Sequence, residues 1–141
     1  MQGSIAFVFP GQGSQSIGML AAISANRPVL REIFAEASDL LHRDLWQLAQ
    51  EGPVEELNQT RWTQPLMLTA GYAMFRAWEE EGGSSPDFVA GHSLGEYTAL
   101  VVAGSLDFAD ALRLVARRGE LMQNAVPEGE GAMAAVLGIS E

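Results

Sequence analysis

Phe88-Val89-Ala90-Gly91-His92-Ser93-Leu94-Gly95 is the stretch that decides the fold. A short apolar run enters a Gly-x-Ser-x-Gly turn, and a mostly apolar, helix-compatible segment leaves it. Residues 88–90 read as a buried strand and residues 94–102 as a helix. The glycines have a steric reason. At a sharp strand-to-helix turn, the positions two before and two after the serine pass close together, and a side chain at either would clash. Such a turn exposes the Ser93 hydroxyl. The helix N-terminus behind it favours developing negative charge, and the Leu94 backbone N–H faces the place where an oxyanion would form. The plainer alternative is a glycine-rich turn carrying an ordinary serine.

Upstream, residues 5–9 form another continuous apolar run, closed by Pro10-Gly11, and read as a second buried strand. Gly11-Gln12-Gly13-Ser14-Gln15 follows as a loop. An oxyanion hole needs a second donor. Adjacent parallel strands place their C-terminal loops side by side, so the Gln12 backbone N–H is the natural source. A flexible turn is the plain alternative. A phosphate cradle is weaker, because no Lys follows and the P-loop spacing is absent.

The intervening segments are helical in pattern. A short helix is expected over residues 18–25. Pro28 suits a first helical position, and Leu30, Ile33, Phe34, Ala37 and Leu41 recur at helical spacing after it. Residues 44–59 are short, polar and helix-prone. Thr63-Gln64-Pro65 is expected to open the next helix, with Thr63 or Gln64 as cap and Met67, Ala70, Gly71, Met74 and Trp78 as buried stripe. Glu79-Glu80-Glu81 should end it in solvent, since carboxylates are unfavourable at a helix C-terminus. A long helix is expected over residues 108–124. Residues 126–131 break the pattern, and residues 132–139 read as a further strand. Strands alternating with helices point to α/β architecture with a mostly parallel sheet.

One residue of the long helix stands apart. Phe108, Ala111, Leu112, Val115, Gly119 and Met122 share a face, with Arg113 and Arg117 opposite in solvent. Arg118 falls inside the apolar stripe. A buried guanidinium needs an acceptor. An internal pair with Glu96 or a stem that snorkels to water would satisfy it. The alternative is a cation held ready for a ligand carboxylate, bound bidentately.

Composition narrows the chemistry. The chain has 141 residues, 48% apolar and 18% charged, enough for one core. It has no cysteine, which removes disulfides, thiolate metal sites and cysteine nucleophiles. All eight basic residues are Arg, and the net charge of −10 disfavours nucleic acid and anionic membranes. No apolar run approaches the ~20 residues of a membrane span, no basic-then-apolar leader opens the chain, and a cytoplasmic location is expected. The two histidines are His42 and His92. His92 adjoins Ser93, where neighbouring side chains diverge, and is expected to pack or hydrogen-bond behind the turn. His42 reads as a surface residue. A serine nucleophile therefore lacks an evident base here.

Phe7-Val8-Phe9-Pro10-Gly11-Gln12-Gly13-Ser14-Gln15, Thr63-Gln64-Pro65, Gly91-His92-Ser93-Leu94-Gly95-Glu96-Tyr97 and Arg118-Gly119, in this order, resemble the malonyl-CoA:acyl carrier protein transacylases. These are the acyltransferases of fatty acid synthesis, related to those of polyketide synthases. The resemblance implies an α/β-hydrolase-like core interrupted by a small ferredoxin-like subdomain. Residues 1–126 would belong to the core, and residues 127–141 would be a linker and the first strand of the insert, with the remainder absent. It implies Ser93 as nucleophile, Gln12 and Leu94 as oxyanion-hole N–H donors and Arg118 as holder of the malonyl carboxylate. Gln64 takes a supporting place near the site. The family's general-base His would lie beyond Glu141. The implied partners are malonyl-CoA and the phosphopantetheine arm of acyl carrier protein, with no cofactor or metal of the chain's own. The missing half or self-association would cover the open sheet. Other functions compatible with the motifs are a trans-acting polyketide acyltransferase, a serine esterase fragment and a non-catalytic module that binds acyl carrier protein.

Overall fold

The computed structural model describes residues 3–127, 129–131 and 138. The strand expected over residues 132–139 lies, Gly138 apart, outside them. Strands β1 (Ala6–Phe9) and β2 (Phe88–Gly91) pair in parallel, with Ala6 opposite Phe88 and Phe9 opposite Gly91. Between them run α1 (Ala21–Ser24), α2 (Pro28–Leu41), α3 (Leu45–Glu51), α4 (Val54–Leu57) and α5 (Thr60–Glu80). Helices α6 (Leu94–Val102) and α7 (Phe108–Gln123) follow β2. The parallel α/β order is the one the sequence pattern predicts.

Helix α5 is the spine, packed against α2, α6 and α7. The core around it holds Leu30, Phe34, Leu45, Leu48, Leu66, Leu68, Leu112 and Val115. On the other side, Phe7 of β1 meets Phe75 and Trp78 edge-on at 6.0 and 5.6 Å. Side-chain caps start two helices. The Asp44 carboxylate accepts from Gln47 N–H at 2.7 Å, and that of Asp107 accepts from Ala109 N–H at 2.9 Å.

Four expectations change. The short helix after the glycine loop covers only Ala21–Ser24, because Gly18 and Leu20 both take positive φ. Helix α5 begins at Thr60, not at the Thr63-Gln64-Pro65 motif, and Pro65 lies inside it. Thr63 does not cap. Its hydroxyl donates to the carbonyls of Leu57 and Gln59. The extra turn is secured by tertiary contact, since Gln123 of α7 accepts from the Thr60 N–H at 2.8 Å. The buried stripe is also different. Met67 and Ala70 are buried, but Met74 and Trp78 are exposed, while Thr63, Gln64, Leu66, Leu68 and Thr69 are enclosed on other faces. A central helix surrounded by three others buries more than one face.

Finally, the strands are not buried on both sides. Phe7 and Phe9 face the helices, whereas Val8 is 75% and Phe88 66% exposed, so one face of the sheet is open. Continuous apolar runs carry no mark of which face the described residues cover.

Candidate active site

Ser93 sits between β2 and α6 with φ 54° and ψ −109°, a conformation non-glycine residues rarely adopt. The expected crowding is present. A Cβ on Gly91 would lie 2.0 Å from the Gly95 carbonyl carbon, and one on Gly95 would lie 2.1 Å from the Phe9 carbonyl oxygen. The second glycine thus lets α6 approach the end of β1. Ser93 is exposed, at the N-cap of α6.

The loop after β1 lies beside this turn, as parallel pairing requires. The His92 N–H donates to the Phe9 carbonyl at 3.3 Å. Among the described residues, the backbone N–H groups of Gln12 and Leu94 have no acceptor. The glycine loop is held from outside. Gln12 Nε2 donates to Thr60 Oγ1 at 3.0 Å, and Gln15 Nε2 donates to Asn58 Oδ1 at 2.8 Å.

Arg118 comes to the same place from α7. Its Nη2 donates to Ser93 Oγ at 3.0 Å, and its Nη1 donates to Gln64 Oε1 at 2.8 Å. The guanidinium also stands 5.7 Å from the centre of the Tyr97 ring. The pair with Glu96 allowed by the sequence does not form. Among the described residues no carboxylate lies within 4.0 Å of Arg118, whereas Arg113 and Arg117 pair with Asp110 and Glu120 on the solvent side. Gln64 is 1% exposed, and its Nε2 donates to Met122 Sδ at 3.0 Å. That contact turns Oε1 toward Arg118.

The structure therefore brings Ser93, Arg118 and Gln64 into one hydrogen-bonded group beside the loop of Gln12. His42 is exposed at the end of α2, as expected. His92 is also exposed. Its imidazole packs near Gly11, where a Cβ would come 3.4 Å from Nδ1, and among the described residues it makes no hydrogen bond behind the turn. Neither imidazole hydrogen-bonds Ser93 Oγ among the described residues. No group of three candidate metal ligands occurs among them either.

Three contributors were not legible in the sequence as site residues: Thr60, Gln123 and Gly119. A Cβ on Gly119 would lie 2.8 Å from the Thr60 carbonyl oxygen. This contact sets how near α7 comes to α5, and so where Arg118 stands. A glycine inside a strongly helical pattern was the available signal.

A serine on a strained strand-to-helix turn, in a parallel α/β framework with an arginine on its hydroxyl, defines the class of nucleophile-elbow α/β proteins. Within that class, the acyl transferase domain family matches residues 6–140, and the chain belongs to it. It is 61% identical over 136 residues to the malonyl CoA-acyl carrier protein transacylase of Escherichia coli K12, covering 96% of this chain and 44% of that protein. The crystal structure of FabD from Acinetobacter baumannii superposes with a TM-score of 0.89 at 59% identity, over 96% of this chain and 43% of that one. A malonyl-transacylase solved in complex with a type II polyketide acyl carrier protein superposes at 0.87 and 59% identity, over 90% and 41%. The chain thus spans less than half the length of these relatives.

Proposed function

We propose that the chain is the nucleophile-bearing part of an enzyme that moves a malonyl group from coenzyme A to acyl carrier protein. The observation that supports this most is the Arg118 guanidinium on Ser93 Oγ at 3.0 Å, with no carboxylate of the described residues beside it. A guanidinium so placed suits an acyl group whose own carboxylate lies one methylene from the reacting carbonyl. A neutral-ester hydrolase has no use for such a cation.

Ser93 Oγ attacks the malonyl thioester carbon, and the carbonyl oxygen takes up charge facing the N–H groups of Gln12 and Leu94. The C–S bond breaks, and coenzyme A leaves as the thiol with the proton taken from Ser93. The phosphopantetheine thiol of the carrier then attacks the malonyl-serine ester, and its proton returns to Ser93 Oγ. Arg118 holds the carboxylate throughout, oriented by Gln64. The proton needs a base during both steps. By family resemblance that base is a His beyond Glu141, within a hydrolase-like core that residues 1–126 share with it. The carrier belongs to fatty acid synthesis. A polyketide carrier is the second reading, favoured by the relative solved with one. A cytoplasmic location goes with this reading.

Intact-mass measurement after incubation with malonyl-CoA tests the proposal. A malonyl adduct that maps to Ser93 and is absent in Ser93→Ala is the expected result, formed slowly because the base is lacking. An adduct that survives Ser93→Ala overturns the nucleophile. Full turnover to acyl carrier protein by the 141-residue chain overturns the external base.

A further inference from the structure

We propose that Thr60 is a positioning residue that joins the glycine loop to α7, so that the Gln12 N–H and the Arg118 guanidinium are held in one fixed relation to Ser93. The inference rests on the oxyanion role of Gln12 put forward above. Three observations meet at Thr60. Its hydroxyl accepts from Gln12 Nε2 at 3.0 Å. Its backbone N–H, one of the unpaired donors that open a helix, is taken by Gln123 Oε1 of α7 at 2.8 Å. Its carbonyl oxygen lies where a Cβ on Gly119 would come within 2.8 Å. Gly119 directly follows Arg118, so a close backbone approach of α7 to α5 lies one residue from the substrate-facing cation.

The loop needs such an anchor. Gln12 stands between Gly11 and Gly13, and Gly13 takes φ 106°. Glycine on both sides gives that peptide unit wide torsional freedom. An oxyanion donor is effective only when its direction is set before charge develops. The Gln12 side chain points away to Thr60, which leaves the backbone N–H of the same residue free for an oxyanion. Gln15 adds a second tether, since Oε1 accepts from the Gly13 N–H at 2.8 Å while Nε2 donates to Asn58 at 2.8 Å. Asn58 lies just before α5, and Thr60 is its first residue. Sequence separations of 48 and 63 residues show that the loop, α5 and α7 are linked only by folding.

Amide hydrogen exchange on the 141-residue chain tests the anchor. Thr60→Val deletes the hydroxyl at constant shape and keeps the N–H for Gln123. It should speed exchange at the Gly13 amide, the one amide of residues 12–15 with an acceptor among the described residues, about fivefold to tenfold, the loss of roughly one net hydrogen bond. Thr60→Ser should restore the original rates. Gln12→Ala removes the other partner, so the double variant should behave like either single one. Gln123→Leu, on α7, should also loosen the loop, because its hydrogen bond reaches the loop only through Thr60. Equal loop exchange in Thr60→Val and Thr60→Ser overturns the proposal.

The catalytic consequence is read from malonyl labelling of Ser93. Thr60→Val should lower the maximal labelling rate by a similar factor and leave the half-saturating malonyl-CoA concentration unchanged. A loosened loop with unaltered labelling also overturns the positioning role. Absence of Ser93 labelling in the unsubstituted chain is instead a failure of the proposed function, and loop exchange then decides the anchor by itself.

Discussion

Arg118 Nη2 lies 3.0 Å from Ser93 Oγ, although 25 residues separate them in the chain. The hydrogen bond spans α7 and the strained turn before α6. It places the cation and the nucleophile so close that one small ligand must meet both. It also occupies a lone pair of the hydroxyl that is to react, so an arriving carboxylate takes over donors that Ser93 and Gln64 hold in its absence.

Replacing Arg118 separates the malonyl transferase from a neutral-ester hydrolase. A charge-assisted hydrogen bond is worth about 1.5–3 kcal/mol. Arg118→Ala should therefore lower Ser93 labelling by malonyl-CoA roughly 10- to 100-fold or more and abolish preference for it over acetyl-CoA. Arg118→Lys should recover little, because an ammonium lacks the planar fork that reaches Gln64 and a carboxylate together. Competition labelling with the two thioesters measures this. An unchanged preference in Arg118→Ala would count for the hydrolase.

Gly119→Ala should destabilise the chain despite removing a helical glycine. The new methyl meets backbone on the facing helix, Thr60 O at 2.8 Å and Arg61 Cα at 2.9 Å, so no rotamer relieves it. Overpacking of this kind costs about 1–3 kcal/mol, against a helix-propensity gain of about 1 kcal/mol. The expected net result is a lower Tm and a lower denaturation midpoint. A Tm equal to or above that of the parent would show that α7 can move away freely.

Gln64→Leu tests whether the buried amide orients the guanidinium. The substitution leaves Arg118 Nη1 without its 2.8 Å acceptor from the buried amide. Malonyl labelling of Ser93 should weaken on the order of tenfold, through a higher half-saturating concentration. An unchanged saturation curve would reduce Gln64 to a packing residue.

The open face of the sheet predicts self-association of the isolated chain. Val8 stands opposite Ala90 and Phe88 opposite Ala6 in the parallel register, and all four are exposed on the same face. Light scattering should give a mass above that of one chain, and Phe88→Ser should bring it down. A single-chain mass at high concentration would remove this expectation.

Much of the fold was legible in the chain. The turn around Ser93, the parallel strands, and the extents of α2, α6 and α7 follow from patterns that act within a few residues. Apolar period, proline position and the Gly-x-Ser-x-Gly spacing are all local. Arg118 was conspicuous because a charge in an apolar stripe demands an acceptor. The start of α5 was misplaced for the opposite reason. Pro65 normally marks a first turn, but Gln123, 63 residues from Thr60, satisfies a donor one turn earlier. Likewise the strands read as buried on both faces, since an apolar run does not say what lies above it.

The sequence by itself determined the elbow, its two glycines and the residue types that carry charge. Those depend on backbone sterics and on the cost of an unpaired ion, which any fold must respect. Only the tertiary structure decided the partners. It chose Gln64 and Ser93 rather than Glu96 for Arg118, and it made Thr60 the meeting point of the glycine loop and α7. A hydrogen bond fixes distance and direction between atoms far apart in the chain, and no local pattern records that geometry.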